Sequence, residues 1–359
     1  MLIRNAPLVS AMRLLLLAVF AVFAPALPCA ADFTEALIYQ EGSTNNAAIV
    51  QDQTGFDSFA SIEQEGSANI TSIKQGSSSE AGDPSIRATV DTHGDLNTIS
   101  IIQRDAFQDI TVLQEGSSNQ IAIEQIEEDA TLNVRQSGTE QVLQIQQNRQ
   151  ATASVRQFGF QDVLRIDQGG RQNDLDAEQI GHKNFAQLSQ SNSGNTLKFQ
   201  QLGDENSAVV VQSGVDNLAI IQQQTDHATL SLFQTGLQGE ARIKQVQADE
   251  NANLTITLEQ SGGEAKADIQ QGGKNNSIHA SQSGFQNEIN LQQDGEFNDV
   301  SILQTGANAV ANVLQGGVAE PGERGTISVI QSADNVNVTV GTIGGNLGNK
   351  PKHITVLQQ

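Results

Sequence analysis

Tryptophan is missing from this chain of 359 residues, tyrosine and cysteine occur once each, and aromatic residues make up only 4%. A globular domain of such length fills its centre with aromatic and aliphatic bulk, so one large core is not what this composition describes. Cations are scarce as well. Nineteen Lys and Arg stand against 41 Asp and Glu, for a formal net charge of −22. No basic stripe exists to neutralise phosphates, which excludes a nucleic-acid partner. The single cysteine, Cys29, lies in the first 31 residues, so the chain beyond it has neither disulfides nor thiolate ligands to hold it. Five histidines, His93, His182, His227, His279 and His353, fall at irregular intervals that match no nucleophile or metal-ligand spacing. Acidic turns such as Glu127-Glu128-Asp129 lack the glycine-rich repeat of regular calcium rungs. The expectation is no enzyme, no cofactor and no metal.

Residues 1–31 are a separate object. Arg4 and Arg13 precede an apolar run from Leu14 to Phe23, and small residues lead up to Asp32. That is the pattern of a removed secretion signal, and the run is too short for a comfortable membrane span. A lipoprotein site at Cys29 is the alternative, approached poorly by Ala26-Leu27-Pro28. Without the two arginines the formal charge becomes about −24.

What the chain does have is one phrase repeated. Gln201, Gln212, Gln223 and Gln234 are spaced by eleven. Gly203 and Gly214 follow a Gln by two, Asn206 and Asn217 by five, and Ala208 and Ala219 by seven. The template Q-x-G-x-x-N-x-A-x-x-x-Q recurs over residues 32–359, and such a period decides the fold before any local motif does. Rich in Gln, Asn, Gly and Ser, the chain could otherwise be read as low-complexity disorder, but its apolar residues are phased.

Counting back from each Gln, the second, fourth and sixth residues share its face if the segment is a strand. The Gln positions are Gln40, Gln51, Gln64 and Gln75, then Gln103, Gln114, Gln125, Gln136 and Gln147. They continue as Gln157, Gln168, Gln179, Gln190, Gln201, Gln212, Gln223, Gln234 and Gln245, then Gln260, Gln271, Gln282, Gln293, Gln304, Gln315, Gln331 and Gln358. Thr92 stands in once for Gln. The Asn positions are Asn45, Asn69, Asn97, Asn119, Asn173, Asn184, Asn195, Asn206, Asn217, Asn276, Asn287 and Asn298. Insertions interrupt the spacing near 76–85, 246–253, 316–324 and 343–351, and Pro84, Pro321 and Pro351 all fall there. Proline would cost a ladder hydrogen bond anywhere else. Among inward positions only Asp162 and Lys352 carry a full charge.

These lines predict an all-β chain, a two-sheet parallel β-solenoid of the cross-β kind with roughly 14 strand-turn-strand coils. Each strand buries two small or medium apolar side chains. The inward amides need partners, because an unsatisfied buried amide costs about 1–3 kcal/mol. Stacked identical amides supply them, each bonding to the copy above and below.

Gln40, Gly42, Asn45, Ala47 and Gln51 resemble, position for position, the repeat of the curlin family, the subunits of bacterial curli amyloid fibres. Gln179, Gly181, Asn184, Ala186 and Gln190 resemble it too, as do the lines from Gln201 and Gln212. The resemblance spans Thr34 to Gln358. It implies secretion through the periplasm, templated assembly into a homopolymeric fibre on the cell surface, adhesion and biofilm matrix. A nucleator subunit and an outer-membrane export pore are the further partners it implies. The chain is longer than the family's usual subunit and often uses Asn or Ala where the family begins a strand with Ser. The family's targeting segment between signal and first repeat has no counterpart ahead of Thr34, which leaves the export route open.

A stacked solenoid has two tips with unpaired backbone groups, which soluble repeat proteins cover. The first line, with Thr34, Ala36, Ile38 and Gln40 as its assembly edge, carries no cap, helix or proline. Lys350, Pro351, Lys352 and His353 stand at the entrance to the last line. Two other functions stay open: a monomeric secreted solenoid adhesin, and a minor subunit that nucleates fibres of a different protein.

Overall fold

The computed structural model describes residues 34–52, 57–76, 85–105, 107–246, 253–317, 325–342 and 353–358. Residues 1–31, expected to be a secretion signal, together with Pro84, Pro321, Pro351, Lys350, Lys352 and most of each insertion, lie outside the described residues.

Alternation of aliphatic and polar residues produces strands, and the eleven-residue spacing sends consecutive strands to opposite sheets. The described residues form 28 strands, from β1 (Thr34–Ser43) and β2 (Asn46–Asp52) to β27 (Asn337–Thr342) and β28 (His353–Gln358). All odd-numbered strands make one 14-stranded sheet and all even-numbered strands the other, in sequence order. Every pairing is parallel. Register follows the repeat: Gln40 lies beside Gln64, and Gln51 beside Gln75. The fold is the all-β, two-sheet solenoid the periodicity predicts.

The core is the thin space between the sheets. In β8 (Gln120–Ile126), Ile121, Ile123 and Gln125 are buried while Gln120 and Ala122 are exposed. The same alternation runs through one continuous cluster from Ala60 to Val340. Burying an Ile or Leu stabilises by about 1.5–3 kcal/mol, so each coil adds several such increments to its neighbours. At both tips the core is half-open: Ile38, Ala47 and Ile49 at one end, and Ile354 and Val356 at the other, are only partly buried.

Turns carry two left-handed positions. The glycine two after Gln has positive φ, 135° at Gly181, and a Cβ there would lie 1.9 Å from the carbonyl oxygen of Gly203 in the next rung. Close approach of backbones thus demands glycine in addition to the conformation. The residue just before the Asn position is also left-handed, and it is rarely glycine: Thr44, Leu96 and Lys183 have φ of 58°, 60° and 55°. Beyond the first rung their N–H groups still bond to the rung before, as Leu96 N–H does to the Ser67 carbonyl and Lys183 N–H to the Phe160 carbonyl, both at 2.9 Å.

Candidate functional site: amide columns and open tips

On every strand but two, where Thr92 and Thr342 take its place, a Gln turns inward at the corner where the chain leaves the sheet. There it meets its copy in the next rung. On the even sheet Gln75 Nε2 donates to Gln103 Oε1 at 2.8 Å, Gln125 to Gln147 at 2.8 Å, and Gln212 to Gln234 at 2.9 Å. The file runs without interruption from Gln51 to Gln331, where Gln304 Nε2 reaches Gln331 Oε1 at 2.7 Å. Gln358 is placed beside Gln331 in register, but its Oε1 has no partner.

The odd sheet carries a second file through Gln114, Gln136, Gln157, Gln179, Gln201, Gln223, Gln245, Gln271, Gln293 and Gln315. Gln40 and Gln64 form a separate pair at 2.6 Å. Thr92 breaks the file between them. Gln64 Nε2 turns to Thr71 Oγ1 at 2.7 Å, and both Thr92 Oγ1 and Gln114 Oε1 are left without partners.

Many of these Gln side chains also give a second hydrogen across the core. Gln75 Nε2 donates to the Phe59 carbonyl at 3.1 Å and Gln190 Nε2 to the Asp174 carbonyl at 3.1 Å, in each case a strand of the opposite sheet. The Gln files therefore tie the two sheets together as well as the rungs.

Asparagine does something different. Stacking of identical amides is the expectation at both positions, but the shorter Asn side chain cannot reach its copy and clamps backbone instead. Asn97 Oδ1 accepts the backbone N–H of Asn119 at 3.1 Å, and Asn97 Nδ2 donates to the Gly116 carbonyl at 2.8 Å. Asn45, Asn69, Asn119, Asn184, Asn195, Asn206 and Asn217 repeat both contacts with their own next rungs. Asn173, Asn276, Asn287 and Asn298 also donate to turn carbonyls. Each one replaces, within the turn, the ladder bonds that the strands have lost.

Small or apolar residues such as Ser58, Ala130, Ala151, Ala228 and Leu254 hold several of the Asn positions. At three more a longer amide or a carboxyl stands there: Gln108, Gln141 and Asp162, of which the sequence reading singles out only Asp162. Gln108 donates to the Glu127 carbonyl at 2.6 Å, but its Oε1 has no partner. Neither Gln141 Nε2 nor Gln141 Oε1 has one. Asp162 is fully buried. Its Oδ1 accepts the Asn184 N–H at 2.8 Å, but Oδ2 is unpartnered. Burial pushes its carboxyl up from 3.8 to about 7, against the hydrogen bonds from Asn184, which pull it down. The signal that finds these residues is position alone, six before the Gln.

Outside, the charges pair across rungs, as in Arg156 with Glu178 at 3.5 Å and Lys183 with Glu205 at 3.5 Å. Such exposed pairs contribute little each. Asp91 is raised by burial, with His93 beside it pulling the other way. Among the described residues no group of His, Cys, Asp and Glu is placed to hold a metal ion.

The tips are the other distinctive feature. Thr34 and Ala36 are exposed, and Ile38 and Gln40 half-buried, although equivalent residues one rung further in are sealed. Leu37 and Val50 beside them are 41% and 51% exposed, and Leu357 at the opposite tip is 56% exposed. His353 is exposed, and its ring contacts Thr326.

A search of curated proteins finds no match to the chain. A family profile described as the Curlin associated repeat matches it at residues 35–66 and 203–236. The first match covers the opening tip and the second the stretch of least interrupted register. By repeat and by fold, this chain is similar to the curlin-repeat family over these two stretches, and the similarity supports a curli-like structural protein.

Proposed function

We propose that the chain is the repeating subunit of an extracellular, curli-like fibre, exported through the periplasm and grown by stacking tip upon tip, for adhesion and biofilm matrix. One observation carries this reading. The two tips are in the same register, so that β28 set against β2 of a second copy places Gln358 beside Gln51, Val356 beside Ile49 and Ile354 beside Ala47. On the odd sheet β27 against β1 places Val340 beside Ile38 and Val338 beside Ala36. On the even sheet each half-buried core residue at one tip meets another at the opposite tip, and on the odd sheet the half-buried Ile38 and exposed Ala36 meet the buried Val340 and Val338. Stacking completes the burial and pairs the open strand edges.

The partner on this reading is another copy of the chain. A nucleating subunit and an export pore are further partners consistent with the family. The acidic exterior keeps the exported chain soluble and slows its assembly at neutral pH.

The test is to refold the chain from denaturant and follow thioflavin fluorescence, with electron microscopy at the plateau. Fibres should form, and a variant carrying Ala36→Pro and Ile38→Pro should fail to seed them through its first rung. A wild-type chain that stays monodisperse for days at neutral pH would overturn the proposal in favour of a solitary adhesin. Seeding of a different protein in preference to itself would make it a nucleator.

A further inference from the structure

The two sheets differ in what they show to solvent. Each strand presents three outward side chains, giving 42 outward positions per sheet over 14 strands. On the odd sheet 17 of them are charged. On the even sheet only six are: Lys74, Glu124, Arg165, Asp167, Glu259 and Asp299. Its other positions are mostly Ser, Thr, Gln and aliphatic or aromatic residues, with Val50, Ile70, Phe233, Leu303 and Leu357 more than a third exposed. From β14 (Phe185–Ser193) through β16 (Ser207–Val215) to β18 (Thr229–Gln234) this face holds no charge at all. In a chain of formal charge −22, ten of the outward acids on the strands lie on the odd sheet and four, Glu124, Asp167, Glu259 and Asp299, on the even one.

We propose that the outer face of the even sheet is an interface for a second copy of this chain, the two rods lying side by side with these faces together. Three considerations select that occupant. A partner recognised by charge would find few charges to read here. For two copies of an acidic chain, this is the broad side on which they meet with least like-charge repulsion. The area is also sufficient. Fourteen rungs about 4.8 Å apart, each presenting a width of about 17–20 Å, give on the order of 1,000 Å² per copy. A stable protein interface needs roughly 800 Å² per partner.

The chemistry suits close packing of sheets. Small hydroxylated and β-branched side chains on a parallel sheet interdigitate with a facing sheet about 10 Å away. A groove of ≈ 420 Å³ on this face, where Ser100 and Ala122 lie among longer neighbours, can receive side chains from the partner. Pairing through the side of the rod leaves both tips free, so it does not depend on end-to-end growth.

The experiment compares two triple variants. Val209→Glu, Ser231→Glu and Thr257→Glu place three carboxylates on neighbouring even strands. Thr111→Glu, Asn133→Glu and Ser154→Glu place three on neighbouring odd strands, with the same rung-to-rung repulsion. Mass per length of refolded protein, by scanning transmission electron microscopy, should fall two-fold for the even-sheet variant and stay at the wild-type value for the odd-sheet one. In otherwise native chains lacking residues 1–31, Ser231→Cys should form intermolecular disulfides on oxidation, and Asn133→Cys should not. That pair of single variants also reads the interface when no fibres form or a triple variant fails to fold. Wild-type rods with the mass per length of one chain, equal effects of the two triple variants, or equal cross-linking at the two cysteines would overturn the proposal.

Discussion

Asp162 accepts the backbone N–H of Asn184 through Oδ1 at 2.8 Å, and its second oxygen, buried at the place where its neighbours in the column carry an amide nitrogen, has no partner. Two rungs on, Asn206 has Nδ2 there and donates to the Thr225 carbonyl, at 2.5 Å. In a column of donors Asp162 is an acceptor, unless it holds a proton.

From that follows a pH dependence. The carboxyl is raised from 3.8 to about 7 in the folded chain, so between those values the folded state keeps a proton that the unfolded chain has released. The contribution of this carboxyl to stability is therefore greatest below about pH 4, declines as pH rises toward 7 and levels off above it. A shift of this size corresponds to something on the order of 4 kcal/mol. Asp162→Asn should remove this slope and raise the urea midpoint at pH 8, with little change at pH 4. Identical pH profiles for the two proteins would contradict the assignment.

Thr92 interrupts the odd-sheet file and leaves two buried oxygens unpaired. Thr92→Gln should rejoin Gln64 to Gln114 and stabilise the chain by about 1–2 kcal/mol. The check is the equilibrium denaturant midpoint. A lower midpoint for the variant would mean that the corner has no room for a longer side chain.

Gln146 and Gln147 are adjacent, and only one faces inward. Gln147 receives a bond from Gln125 and donates to Gln168, both at 2.8 Å, whereas Gln146 is exposed. Gln147→Ala should cost about 2–5 kcal/mol by orphaning two amides, and Gln146→Ala less than about 0.5 kcal/mol. Equal losses in chemical denaturation would remove the amide file from the account of stability.

Two glycines provide a similar contrast. Gly181 has positive φ and faces the Gly203 carbonyl, while a Cβ on Gly169 would meet nothing within 4 Å. Gly181→Ala should destabilise by several kcal/mol, because backbone must move. Gly169→Ala should be neutral or gain about 0.4–1 kcal/mol. Thermal unfolding of the pair decides, and a tolerated Gly181→Ala would show that the turns can separate without cost.

Much of this was readable from spacing. Ile121, Ile123 and Gln125 declare their shared face by alternation, and Asp162 stands out as a charge at an inward position. The asparagine clamp was not readable, because the reach of one fewer methylene decides whether an amide finds its copy or a backbone carbonyl. Nor were the left-handed residues Thr44, Leu96 and Lys183. No residue type marks them, and their conformation is imposed by the rungs on either side.

The glutamine files also have a direction. Every bond in them runs from Nε2 of one rung to Oε1 of the next, and the asparagine clamps donate the same way along the axis. Aligned amides add head to tail, as peptide dipoles do in a helix. The rod is thus a small electret: its first rung ends in oxygen lone pairs and its far rungs in N–H hydrogens, so two molecules approaching along one axis are drawn together in one orientation and pushed apart in the other.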